Sequence, residues 1–172
     1  MEVDLGKGHV AIIDDADADL VIGFKWYPMK TKEGKVYAAG WKHLPPGRFF
    51  VHLHRLITNA QPGEIIDHAD RDPLNCRRSN LRRATRQQNV WNKSPSRGLV
   101  RSKTSCHKGV FLDRKSQRFV VRITHNGKRI HVGTFRTEIE AARAYNAKAK
   151  ELYGDFAYLN PLPDEEATGE KA

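Results

Sequence analysis

The chain has 172 residues, 39% of them hydrophobic and 29% charged, with 30 Lys and Arg against 20 Asp and Glu and a net charge of +10. That composition can bury a core and excludes a broadly disordered chain, and the length suits one ordinary domain or two small ones. The longest apolar runs, VHLHRLI and FVVRI, are too short to cross a bilayer, and the opening MEVDLGKG has neither the basic nor the apolar region of a signal peptide.

Two cysteines, neither of them in a CxxC, exclude a disulfide framework and a Cys₄ zinc site and suit a reducing, intracellular setting. The positive charge is confined to one block. Residues 1–70 hold 8 basic and 10 acidic side chains, residues 71–131 hold 17 and 2, and residues 132–172 hold 5 and 8. A basic block interleaved with apolar residues implies a polyphosphate partner, and charge alone leaves DNA and RNA both open.

In chain order, residues 8–56 read as β-rich: HVAII, KVYAA and RFFVHLHRL are strand-like, and TKEG and LPPG supply turns. Asp14, Asp15, Asp17 and Asp19 resemble the start of a calcium loop, but Leu20 and Trp26 stand where its Gly and Glu belong, so the segment reads as a solvated turn. GEIIDH predicts a short strand, ADRDPLNCRRSN a polar loop, and LRRA a second short strand. Thr85 and Gln88 form a capping box that opens a helix. Residues 93–104, KSPSRGLVRSKT, read as a basic linker suited to lie along a phosphate backbone.

Beyond the linker, KGVFLD, RFVVRIT and KRIHVGTF predict three strands, with Asn126-Gly127 as a hairpin turn between the last two. A second capping box, Thr137 with Glu140, opens a helix that ends near Tyr153 at Gly154. Ile139, Ala142, Tyr145, Ala149 and Leu152 are its expected apolar face. The acidic, Pro-broken tail is expected to be disordered, and no internal repeat is visible.

One set of residues has metal-site character: Asp67-His68, Asn80 and Asn89. Hydrolysing a phosphodiester requires an activated water, a cation to stabilise developing charge, and groups to hold both. A carboxylate and an amide oxygen are hard donors that suit Mg²⁺ or Mn²⁺, and a histidine beside them is a fitting general base. Neighbouring strand residues face opposite ways, so Asp67 and His68 can share a site only at a strand end. Spacing alone leaves an ordinary structural role for the Asp-His pair equally open.

The whole segment, VHLHRLITNAQPGEIIDHADRDPLNCRRSNLRRATRQQNVWNK, is more specific. It resembles the HNH endonuclease family, in the variant with Asn at the third motif position, through HRL, the Asp-His pair, SNLR and T-x-x-x-N-x-x-N. The resemblance implies a ββα-metal fold in which His68 activates water, Asp67 and Asn89 ligate one divalent ion, and Asn80 orients the His68 imidazole and ties the fold together. Asn89 stands where many members carry His, and without flanking CxxC pairs no structural zinc is expected. His52 and His54 are expected on one strand face and could be ligands; the favoured reading has His54 packing or contacting phosphate and His52 at the surface. Cys106-His107 has no partner at metal-ligand spacing and reads as structural, and Cys76 reads as a passive thiol.

Residues 105–160 resemble the APETALA2/ethylene-response-factor DNA-binding domain in KGV, the basic second strand, a turn at Gly133-Thr134-Phe135, the TEIEAARAYNAKAKELYG helix, and Ala157 with Asn160. The resemblance implies a three-stranded sheet in the DNA major groove with the helix behind it. Period-two reading agrees: Phe119, Val121, Ile123, Ile130 and Val132 point inward, and Arg118, Arg122, Thr124, Arg129 and His131 point outward.

The expected architecture is α+β: a β-rich start leading into an HNH module over 1–92, a linker over 93–104, an APETALA2-type domain over 105–161 and a tail over 162–172. The expected function is a site-specific, divalent-metal-dependent homing-type endonuclease acting on double-stranded DNA. It is expected to be a monomer with no membrane partner and no small-molecule cofactor, in the bacterial cytoplasm if phage-derived. Arg82, Arg83, Arg97, Arg101 and Lys103 join the outward sheet residues as expected DNA contacts. The alternative is a DNA-binding or regulatory protein whose HNH site is vestigial.

Overall fold

A computed structural model describes residues 1–95 and 104–163, and the fold is α+β. The chain divides into two compact units, Met1–Val90 and Trp91–Ala172. The linker residues Arg97, Arg101 and Lys103 and the tail from residue 164 lie outside the described residues. No helix among the described residues is long and apolar enough to cross a membrane.

In the first unit, Val3 and Leu5 alternate with polar neighbours and, with Ala11, face inward from an antiparallel hairpin, β1 (Glu2–Gly6) and β2 (His9–Ile12). A short turn and α1 (Ala18–Val21) lead to a three-stranded antiparallel meander of β3 (Lys25–Lys30), β4 (Val36–Leu44) and β5 (Gly47–His52). After α2 (Leu53–Ile57), β6 (Ile65–His68) and β7 (Leu81–Ala84) pair antiparallel, and α3 (Arg86–Asn92) follows. The core gathers Val3, Leu5, Ala11, Ile13, Val21, Ala38, Leu53, Ile57 and Cys76.

Two expectations need correcting here. LHRLI does not continue the strand: Leu53, Leu56 and Ile57 have helical spacing, and Leu53 and Ile57 are both buried, so the chain turns into α2 straight after His52. His54 is therefore a helical residue. The aspartate run is also not a solvated turn. Asp17 is only 2% exposed, and Arg78 grips it with Nε and Nη2 at 2.7–3.0 Å, while the Arg78 backbone N–H donates to Asp14 at 2.7 Å. A partner 61 residues away is invisible to local reading.

In the second unit, β8 (Val110–Asp113), β9 (Arg118–His125) and β10 (Lys128–Phe135) form a sheet ordered β10-β9-β8, with α4 (Glu138–Tyr153) packed against it. Asn126 and Gly127 both have positive φ, the conformation a tight two-residue hairpin requires. The Thr137–Glu140 capping box is formed in both directions. The buried face of α4 is Ala141, Ala142, Tyr145, Ala149 and Tyr153, whose three alanines let the helix lie close to the sheet; Ile139 is 40% exposed, contrary to expectation. Gly133, Thr134 and Phe135 continue β10 past a bulge and do not form a turn. Gly109 has φ +74°, and a Cβ there would meet the Tyr145 ring at 2.3 Å and the Arg122 carbonyl at 2.8 Å, so no other residue fits.

Replacing Arg78 with Ala leaves the Asp17 carboxylate buried and unpaired. The variant is expected to lose about 2–3 kcal/mol of stability in urea denaturation, against no loss if the pair were a surface ornament.

Candidate functional site

His68 is the last residue of β6, so Asp67 and His68 reach the site at a strand end, as the period-two argument requires. Both are buried, at 6% exposure each. Asp67 pairs across the ladder with Arg82, whose Nε and Nη2 donate to Asp67 Oδ2 at 3.0 and 2.8 Å. Between β6 and β7 the loop 69–80 is fastened by Asn80. Its Oδ1 accepts from the Asp70 N–H at 2.9 Å, and its Nδ2 donates to Asp70 Oδ1 at 2.9 Å and to the Asn75 carbonyl at 2.7 Å. The Asn80 amide thus acts on the residues that follow His68, not on the imidazole itself.

The same loop is gripped from outside. Cys76 N–H donates to the Ile12 carbonyl at 2.7 Å and Ile12 N–H to Leu74 at 2.8 Å, a bridge that fastens the N-terminal hairpin to the loop. Arg78 on Asp14 and Asp17 adds a second outside hold. Asn89 lies one turn into α3, half-buried, with its N–H on the Thr85 carbonyl at 3.0 Å, behind a completed Thr85–Gln88 capping box. A carboxylate and an amide oxygen are hard donors, so the chemistry of Asp67 and Asn89 would suit Mg²⁺ or Mn²⁺.

Aromatic and imidazole rings crowd His68. The His54 ring stands edge-on at 5.1 Å and the Tyr37 ring at 6.1 Å, with His52 stacked on His54 at 5.5 Å. Burial holds the His68 imidazole below its usual value, against the opposing pull of Asp70, Asp67 and Asp72, so at neutral pH it is a neutral ring able to accept a proton. Burial first, then the charges of His68, His52 and Arg55, push His54 down to about 3. Burial raises the Cys76 thiol to about 12, reinforced by Asp72 and Asp70. Its Sγ lies 3.9 Å from His68 Nε2 as an inert neighbour, as the reading of a passive thiol expects. The roles of Tyr37 and His54 beside His68 were missed in the sequence: His54 was legible only as part of HRL, and nothing local marks Tyr37.

The other expected contacts divide by place. Arg83 is exposed and pairs with Glu64 at 3.1 Å, whereas Arg82 is held by Asp67. On the second unit's sheet, Arg118, Arg122, Thr124, Arg129 and His131 are all exposed on one face, with Arg122 opposite His131 and Thr124 opposite Arg129 in register. Phe111, 46% exposed, lies on the same face through Val120. Phe119, Val121, Ile123, Ile130 and Val132 turn to the core or its edge. A basic, partly aromatic face braced from behind by a helix is what groove reading requires. The Cys106-His107 pair does have a partner, since the start of α4 brings Glu138 to it.

Comparisons with known proteins agree with this layout. The HNH endonuclease family matches residues 51–91, and the AP2 domain matches residues 105–155. An uncharacterized HNH endonuclease of Acanthamoeba polyphaga mimivirus is 36% identical over 160 residues, spanning 91% of this chain and 78% of its own. A dehydration-responsive element-binding protein of Arabidopsis thaliana is 38% identical over 89 residues, 47% of this chain and 42% of its own. Protein 3.8 of Escherichia phage T7 is 34% identical over 96 residues, 55% of this chain and 74% of its own.

Because His54 is neutral in the fold down to about 3 but takes a proton near 6.5 when unfolded, the unfolded state binds more protons between those values and stability falls with falling pH. From pH 7 to pH 5 this group alone removes about 2 kcal/mol. Thermal melts of His54→Gln should depend less on pH over that window; a slope equal to wild type would contradict the assignment.

Proposed function

The chain belongs to the HNH endonuclease family and carries an AP2 domain, and from that premise we propose that it is a site-specific, divalent-metal-dependent DNA endonuclease of the homing type. The observation that carries this reading is the burial of both Asp67 and His68 at the end of β6, beside a loop that Asn80 fastens. His68 takes the proton from the attacking water. Asp67 and Asn89 would hold the cation, Mg²⁺ or Mn²⁺, which when bound supplies positive charge at the scissile phosphate and its leaving oxygen. Asn80 is a positioning residue: it fixes the backbone that follows His68.

Binding and cutting are divided between the two parts of the chain. Arg118, Arg122, Thr124, Arg129 and His131 would read or grip double-stranded DNA, while Arg83 and the linker residues Arg97, Arg101 and Lys103 would contact phosphates. Arg82 bonds the Asp67 carboxylate in the free protein and would meet a phosphate once a cation takes that carboxylate over. A monomer with one such site nicks one strand, and its DNA partner puts it inside a cell. A second reading, a DNA-binding protein with a vestigial nuclease site, draws on the Arg82–Asp67 ion pair at 2.8 Å, which already neutralises the proposed metal ligand.

His68→Ala decides between them. With supercoiled plasmid carrying the target and Mg²⁺ or Mn²⁺, wild type is expected to yield open circles and the variant at least about 100-fold less, with DNA affinity nearly unchanged. No cutting by either on DNA that wild type binds tightly would support the vestigial reading, whereas equal cutting by both would overturn the role given to His68. Affinity is also expected to fall steeply with salt. If six to ten basic residues meet phosphates, log K against log[salt] has a slope of about −5 to −9, whereas about −2 would leave the basic block a solvated surface.

A further inference from the structure

Away from the nuclease motif, the segment that enters β8 and the first residue of α4 bring together a thiol, an imidazole and a carboxylate. Cys106 Sγ lies 3.6 Å from His107 Nδ1 and 3.7 Å from Glu138 Oε1, and His107 Nδ1 lies 2.9 Å from that same oxygen. Among the described residues this is the one group of three such side chains whose ligand atoms all converge within 4.8 Å.

These separations match a particular ion. Around a tetrahedral zinc with bonds of about 2.3 Å to sulfur and about 2.0–2.2 Å to nitrogen and oxygen, neighbouring ligand atoms sit about 3.6 Å apart where sulfur is one of them and about 3.4 Å apart otherwise. Both sulfur distances are already met, and the nitrogen–oxygen pair has only to open by about half an ångström as a shared metal replaces their hydrogen bond. Ser105 supplies the supporting layer: its Oγ donates to Glu138 Oε1 at 2.5 Å and accepts from the His107 N–H at 3.0 Å, which orients the carboxylate and the chain carrying the imidazole. Cys106 is exposed and the other two are half-buried, so an ion can enter from solvent and a water can complete its shell.

We propose that Cys106, His107 and Glu138 form a zinc site, with water as the fourth ligand, that clamps the entry of β8 to the N-terminal end of α4. Its sulfur and nitrogen donors select a borderline-soft ion, in contrast to the oxygen donors Asp67 and Asn89. The chain would then hold two metals of different chemical class in separate places. Loading zinc there stabilises the second unit and requires loss of the Cys106 proton on binding.

The test is titration of the metal-free, full-length protein with Co²⁺ as a spectroscopic stand-in for zinc. Wild type is expected to bind one Co²⁺ with a near-ultraviolet thiolate charge-transfer band and intense visible bands of tetrahedral cobalt, and zinc should displace it. An oxygen-donor nuclease site produces no thiolate band, so the two sites are separable. Cys106→Ser should abolish the band, Glu138→Gln should weaken cobalt binding at least tenfold, and Cys76→Ala should keep the band, which excludes the thiol beside His68. Zinc should raise the thermal midpoint of wild type and leave that of Cys106→Ser unmoved. Absence of a thiolate band in wild type, or its survival in Cys106→Ser, would overturn the proposal and leave Glu138 as a hydrogen-bond acceptor for its neighbours.

Discussion

The carboxamide of Asn80 is the interaction on which the candidate site depends. A loop of twelve residues, 69–80, separates the strand that ends at His68 from the one that pairs with it, and although Leu74 and Cys76 pack against the core, most of its other residues are polar. Asn80 uses both its donor and its acceptor on that loop, and the Asp70 carboxylate spans the rest by bonding Asn75 and Asn80 and accepting from the Asp72 N–H. Burial would raise the Asp70 carboxyl, but these hydrogen bonds outweigh it and keep it below its ordinary value, so the network stays charged and closed at neutral pH. Asn80 is the buried member, so a bond its amide loses is not recovered from water, a larger loss than the bond itself.

The N-terminal hairpin has its place in this scheme. Ile12 bridges Leu74 and Cys76, and Asp14 and Asp17 take the backbone and the guanidinium of Arg78. The first β-strands thus form part of the frame that holds the loop rigid around Asp67 and His68. The burial that makes this frame tight also keeps His68 neutral, and so one constraint gives both geometry and chemistry. Recognition rests on a different principle. The outer sheet face of the second unit keeps its arginines exposed, which leaves them free for the phosphate and base contacts proposed for them.

Much of this was legible in the sequence. Local rules sufficed for both capping boxes, the Asn126-Gly127 hairpin and the alternation that turns Arg118 and Arg122 outward and Val121 and Ile123 inward, because each depends on residues a few positions apart. The short strands around the Asp-His pair were legible for the same reason. What escaped was set by partners far away in the chain. The Asp17–Arg78 pair, the Ile12–Asn75 bridge and the meeting of Cys106 and His107 with Glu138 each join segments more than 30 residues apart. LHRLI failed for another reason: a short apolar run carries both strand and helix periods, and packing of Leu53 and Ile57 decided for the helix.

The account stands most directly on Asn80, so the decisive measurement is single-turnover nicking of target DNA by Asn80→Ala with Mg²⁺, with DNA affinity and thermal stability followed on the same preparation. The account predicts a folded protein, destabilised, that binds DNA as wild type does and cuts it at least about 100-fold more slowly, because His68 and Asp67 have lost the loop that fixes them. Cutting at the wild-type rate would contradict it, since the site would then owe nothing to the network that Asn80 closes.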